Sequence, residues 1–192
     1  MPKAVTFDRA QVIDNATQLF WKKGFHATSM QDLVDATGLN RSSLYNSFGD
    51  KHDLFEICLK EYQIWQSKTL SKSFDQDMSP MDSIRDFFSQ ILKGIKEDAD
   101  HKGCLLSNCA TELSNSDPHI QELLIANKEA TIEVFDKKLK AAKEAGELKN
   151  DSNSRQLAMY LYTCLHGLQV TALLISDQKE LDALVDNILK NL

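Results

Sequence analysis

Apolar residues return at intervals of three and four along almost the whole of this chain. Val12, Ile13, Ala16, Leu19 and Phe20 form the first such series, so Asp8 to Lys23 reads as an amphipathic helix closed by Gly24. Thr28 or Ser29 can cap a short second helix carrying Leu33 and Val34, and Thr37-Gly38-Leu39 breaks it, Gly38 being suited to a left-handed backbone position. Asn40 caps a third helix and Gly49 stops it. Asp50 and Asp53 form a capping pair for a longer fourth helix striped by Leu54, Ile57, Cys58, Tyr62 and Trp65. Polar Ser71 to Ser79 reads as a connection, and Ser79-Pro80 as the cap and first residue of a fifth helix whose apolar stripe is Ile84, Phe87, Phe88, Ile91, Leu92 and Ile95.

After a loop from Asp98 to Gly103, Cys104 to Leu113 reads as a sixth helix. Asp117-Pro118 opens a long seventh, with Ile120, Leu123, Leu124, Ala130, Phe135 and Leu139 inside, until Gly146 ends it. Two more follow at about Ser154 to Ser176 and Gln178 to Leu192. No strand-like alternation or internal repeat interrupts the pattern. The pattern predicts an all-α chain of about nine helices: a small bundle over residues 1–50 and a larger helical domain over 51–192, linked by helix four at about 51–70. Seven glycines and three prolines in 192 residues agree with so much helix.

One window tests for a membrane span. Leu157 to Ile175 holds no Asp, Glu, Lys or Arg in nineteen residues, close to the roughly 20 needed to cross a bilayer. Its Tyr160, Tyr162, His166, Gln169 and Thr171 make a helix buried on several sides the better reading, so no membrane partner is expected. The N-terminus, MPKAVTFDRAQV, resembles neither a signal nor a transit peptide, and Cys58, Cys104, Cys109 and Cys164 are scattered rather than paired. A reducing, cytoplasmic location follows as the expectation.

The net charge of −6 argues at first against nucleic acid, but it is unevenly spread. Residues 1–51 hold six Lys/Arg against five Asp, or +1, leaving 16 against 23, or −7, for the remainder. Screening beyond about 8–10 Å at physiological salt lets a near-neutral N-terminal module bind phosphates despite an acidic body.

That module contains ATGLNRSSLYNSF, Ala36 to Phe48, rich in short polar side chains that favour caps and turns over helix interiors. On a helical wheel Leu44 and Phe48 share one face, Ser42, Tyr45 and Asn46 lie away from it, and Ser43 lies to one side. Two short helices joined by a Gly-containing turn make a helix-turn-helix, and small outward groups let the second helix approach base edges in a major groove about 12 Å wide. The same composition would also suit a plain solvated surface. Three features favour the helix-turn-helix: a full supporting helix precedes it, Tyr45 offers a phenol from an otherwise polar face, and Lys51 in a first helical turn opposes the helix dipole, which a nearby phosphate would explain.

The stretch GFHATSMQDLVDATGLNRSSLYNSFGDKHDLF, Gly24 to Phe55, resembles the DNA-binding domain of the TetR/AcrR family of transcriptional regulators. Its Gly-Phe, Ala-Thr-Ser, Thr-Gly-Leu, Leu-Tyr, Phe and Lys-x-x-Leu fall in the family's register. The resemblance implies a homodimer on a palindromic double-stranded DNA operator, paired through helices eight and nine, with an effector in the C-terminal domain weakening DNA affinity. Carried over by position, Thr28, Tyr45 and Lys51 would contact phosphates, Gln31 would reach a base or the backbone, and Arg41, Ser42, Ser43 and Asn46 would carry recognition. Guanine suits Arg41 and adenine suits Asn46. Only Lys3 and Arg9 could supply a basic arm for the minor groove.

The family's effector pocket lies among helices five to eight, which nominates Phe87, Phe88, Ile91, Asn108, Tyr162, His166 and Gln169, each of which could equally be core. Their mixed aromatic and polar character suits a small aromatic or carbonyl-containing molecule. Cys104, in KGCLLSNCATEL, is placed by this reading in the first turn of helix six, where dipole and N–H groups favour a thiolate. Its Gly-Cys-Leu resembles an element of NemR-like members, which respond to electrophiles and oxidants, although the same tripeptide occurs in relatives with no redox role. A redox or electrophile sensor and a small buried hydrophobe both remain open for Cys104.

His101, Cys104, Cys109 and Asp98 or Asp100 lack the close pairs of a structural zinc site, and no metal or cofactor is expected. An enzyme, or a helical interaction module without DNA binding, is the rival class. Against the enzyme, there is no nucleophile elbow, phosphate-binding glycine loop or dinucleotide fingerprint, and His26, His52, His101, His119 and His166 do not cluster with a nucleophile.

Overall fold

The computed structural model describes residues 7–74, 77–148 and 153–192. Among them are nine helices and no strand: α1 (Arg9–Lys23), α2 (Met30–Thr37), α3 (Arg41–Phe48), α4 (Lys51–Phe74), α5 (Pro80–Glu97), α6 (Leu105–Leu113), α7 (Pro118–Glu144), α8 (Ser154–Thr171) and α9 (Gln178–Lys190). Lys3 lies outside the described residues.

Side-chain caps set where several of these helices begin, Asp8 preceding α1 rather than opening it and Ser29 rather than Thr28 capping α2. Asp8 accepts from the Ala10 and Gln11 N–H groups, Ser29 and Asp32 form a reciprocal capping box, and the Asn40 side chain accepts from the Ser43 N–H. Gly38 closes α2 at φ +71°, in the left-handed region where a side chain would be strained. Ser79 caps α5 with Pro80 at its first turn, and the Glu147 carboxylate accepts from the Met81 N–H at 2.8 Å.

Three boundaries differ from the sequence expectation, the first for a tertiary reason. Helix α4 continues to Phe74, because the Phe74 ring packs 6.0 Å from Phe87 and 5.9 Å from Phe135 and its carbonyl accepts from the Lys138 ammonium at 2.8 Å. Packing thus overrides the weak helix preference of Ser71 to Ser73. Helix α6 begins at Leu105, leaving Cys104 just before it. Helix α8 stops at Thr171, short of Ser176, where Ala172 to Leu174 turn. Among the described residues no helix is long and apolar enough to cross a membrane.

By contacts the chain forms two compact units, the first running to Trp65 with Leu105–Gln121 added, the second made of Gln66–Cys104 and Glu122–Leu192. In the first, Phe20, Phe25 and Phe55 interlock with centroid separations of 5.0–6.3 Å, and Trp21 meets Tyr62 edge-on at 4.9 Å. In the second, Phe87, Phe88 and Phe135 sit at the centre of a core completed by Leu161, Leu165, Leu181 and Val185, with α5 packed against α8 and α9.

Candidate DNA-binding face and effector elements

Helix α3 is eight residues long, below the roughly 12–15 at which an isolated helix becomes even marginally stable in water. It is held from its inner face. Leu44 and Phe48 are buried, Phe7 packs 5.9 Å from the Phe48 ring, and the Arg9 guanidinium lies 4.4 Å over that ring while donating to the Ser47 carbonyl at 3.1 Å. Arg9 therefore serves the last turn of α3, where a cation also complements the helix dipole. Ser42, Tyr45 and Asn46 are exposed away from that face, Arg41 is exposed at its flank, and Ser43 is half-buried. The burial pattern is that of the wheel read from the sequence.

Thr28 and Lys51 have definite partners within the protein. Thr28 is 1% exposed, and its hydroxyl donates to the Gly24 carbonyl at 2.6 Å. The Lys51 ammonium donates to the carbonyls of Phe25 at 2.9 Å and Thr28 at 2.8 Å, and it lies 4.3 Å over the Phe25 ring. The lysine that looked unfavourable at the start of α4 thus ties that helix to the α1–α2 connection, a role visible only in three dimensions. Gln31 is exposed and donates to Asp35 at 2.9 Å along the outer side of α2.

Sequence reasoning missed Glu112. From α6 it accepts from the Phe25 N–H at 3.0 Å and the His26 N–H at 2.7 Å, satisfying two backbone donors in the α1–α2 connection with one carboxylate. Two further pairs lie nearby in the same unit. His52 Nε2 sits 2.5 Å from the Asp117 carboxylate, and His119 Nε2 sits 3.0 Å from Glu56. Burial works to raise the Asp117 pKa, but hydrogen bonds from the Ile120 N–H and His52 outweigh it and the net direction is downward. Separations of 86 and 65 residues leave no sequence signal for the Glu112 and His52 contacts.

Of the nominated effector residues, Phe87 and Phe88 are fully buried against Phe135, and Ile91 is half-buried beside that core. Asn108 lies on α6 in the first unit. Tyr162, His166 and Gln169 follow one another at four- and three-residue spacing on α8, with the Tyr162 and His166 rings 4.4 Å apart. Burial holds the His166 imidazole down to about pKa 4 and pushes the Tyr162 phenol up, the nearby Cys104 thiol adding to the second effect. Cys104 itself is 2% exposed. Cys109 is also buried, which raises its thiol pKa to about 12.

Residues 12–58 match the family described as bacterial regulatory proteins, tetR family, and residues 80–188 match the tetracyclin repressor-like C-terminal domain. The HTH-type transcriptional regulator YezE of Bacillus subtilis is 30% identical over 181 residues, covering 94% of this chain and 93% of that one. The HTH-type transcriptional repressor ComR of Escherichia coli is 31% identical over 170 residues, covering 86% and 80%. Among solved structures, a cysteine mutant of the TetR family regulator CifR complexed with 26-bp double-strand operator DNA superposes with a TM-score of 0.86 at 25% identity, covering 99% of this chain and 98% of that one. A regulatory protein TetR from Rhodobacter sphaeroides gives 0.88 at 19% identity over 96% and 98%, a likeness of fold. With its N-terminal helix-turn-helix and its C-terminal helical domain both matched, this chain belongs to the TetR family: it is a DNA-binding transcriptional regulator and not an enzyme.

Proposed function

We propose that this regulator is a cytoplasmic, homodimeric repressor that grips a palindromic operator with α3 and releases it when a small molecule binds the C-terminal domain. The observation that carries the reading is the division of α3, with Leu44 and Phe48 committed to the core and Arg41, Ser42, Tyr45 and Asn46 turned to solvent. Residues 1–50 form the DNA-binding part and residues 51–192 the effector and dimer part. Arg41 and Asn46 read bases, Ser42 and Ser43 allow close approach, Tyr45 contacts the backbone, and Gln31 reaches a base or the backbone. Thr28 and Lys51 support those contacts by fixing the α1–α2 connection from which α2 starts.

Supporting the dimer, α8 carries an exposed series of Met159, Thr163, Gly167 and Val170 on the side away from its core face, and Leu174, in the turn that follows, is 83% exposed. Pairing of this patch with its own copy would match the two-fold symmetry of a palindrome. Supporting the effector site, Tyr162, His166 and Gln169 place polar groups in a setting that is otherwise apolar, with Ile91 and Cys104 in the same unit and Phe87 and Phe88 as core beneath. DNA selected from a random pool by the purified protein tests the reading. A palindromic sequence bound with steep salt dependence is expected; weak, sequence-indifferent binding overturns it.

A further inference from the structure

The side chains that α8 turns toward the loop before α6 share one property: none is charged. Tyr162, His166 and Gln169 succeed one another at spacings of four and three residues, which puts them on one side of α8, and Leu173 lies in the turn that follows. Both ends of that stretch meet the same short segment. The Tyr162 phenol interacts with the Cys104 thiol, and Leu173 packs so close to Gly103 that a Cβ there would stand 3.1 Å from its Cδ1. The nearest cation along the chain, Lys102, is spent in ion pairs with Asp98 and Asp100.

Gln169 is the anomaly in this row. It is 6% exposed, yet its Oε1 has no hydrogen-bond partner among the described residues. A buried carbonyl oxygen without a donor costs about 1–3 kcal/mol, and proteins carry few of them. His166, three residues earlier, is kept neutral at physiological pH by burial, so it neither attracts an anion nor repels a cation. The row therefore offers aromatic surface, one unused acceptor and no charge.

We infer that the effector is an uncharged aromatic molecule carrying a hydroxyl or N–H group, which donates to Gln169 Oε1 while its ring packs against Tyr162 and His166. This rests on the effector site proposed above and narrows it. As the amide stands, a ligand bearing only carbonyl acceptors leaves Gln169 Oε1 unpaired, and an ionised ligand is desolvated with no opposite charge to meet it.

Four probes of similar size separate these possibilities: benzyl alcohol, benzyl methyl ether, benzoate and benzylammonium, each titrated calorimetrically against the full-length protein. Benzyl alcohol is expected to bind at least tenfold more tightly than the other three. Gln169→Met, which keeps length and volume, is expected to weaken benzyl alcohol at least tenfold and to raise the melting temperature of the ligand-free protein, because it removes an unpaired acceptor. A lower melting temperature together with unchanged alcohol binding overturns the role of Gln169. Tighter binding of benzoate, benzylammonium or the ether, or no binding by any of the four, overturns the ligand class. If the preferred probe is another of the four but Tyr162→Ala weakens it, the site stands and only the class fails. Binding of a probe that is indifferent to both Gln169→Met and Tyr162→Ala removes the site as well, while operator selection still reports independently on DNA recognition.

Discussion

The Glu112 carboxylate on α6 accepts a hydrogen bond from the His26 N–H at 2.7 Å, joining a helix of the tetracyclin repressor-like C-terminal region to the connection between α1 and α2. The same carboxylate takes the Phe25 N–H at 3.0 Å. Helix α6 is thereby part of the compact unit that contains α3, and a change in α6 has a direct polar route to the chain segment that starts α2. Glu112→Ala leaves two backbone donors without their carboxylate and is expected to lower stability by about 1–3 kcal/mol. Glu112→Gln, which keeps one oxygen acceptor, is expected to lose less. Urea melts with operator titrations on the same samples check both; an alanine variant as stable as the parent refutes the contact's importance.

Lys51 and Tyr45 separate support from contact. Lys51→Ala removes two hydrogen bonds to main-chain carbonyls and a cation–π contact, so it is expected to reduce both stability, by about 1–3 kcal/mol, and affinity for every operator sequence. Tyr45→Phe removes an exposed hydroxyl, with stability expected to stay within about 0.5 kcal/mol while affinity falls uniformly. Thermal melts paired with gel shifts distinguish the two patterns.

Arg41→Ala is expected to relax base preference at one position of each half-site, at a cost of about 1–3 kcal/mol in discrimination. Repeating the operator selection with the variant measures this directly. An unchanged selected sequence removes Arg41 from base readout.

His166 predicts an acid-labile C-terminal unit. Its folded pKa of about 4 lies below the ordinary 6.5, so between those values the unfolded chain binds a proton that the folded chain refuses. Stability contributed by this group is therefore present above about pH 6.5, falls as pH drops toward 4, and is fully lost below it, a change of up to about 3 kcal/mol. His166→Phe is expected to flatten that part of the stability–pH curve. Denaturation midpoints at half-unit pH steps test it.

Cys104 precedes α6 and is buried, so its modification is expected to wait on local opening of the chain. Maleimide labelling of Cys104, followed by peptide mass, should be slow under native conditions and fast in denaturant. Rapid native labelling, coupled to operator release that Cys104→Ser abolishes, would instead support the electrophile sensor.

What the sequence determined by itself is local. Spacing of apolar residues marked the helices, and Asn40, Asp50 and Ser79 marked where three of them begin, with Thr28 or Ser29 the candidates for a fourth, because capping is decided within three residues of chain. The inward and outward sides of α3 followed from the same periodicity. The tertiary structure alone decided that α4 runs on to Phe74, that Arg9 and Lys51 spend their charges on carbonyls of α3 and of the α1–α2 connection, and that Glu112 reaches Phe25 and His26. It also decided that Gln169 is buried with an unused oxygen. Each of these depends on a partner distant in sequence, and a polar side chain does not announce in its own neighbourhood which distant backbone group it will meet.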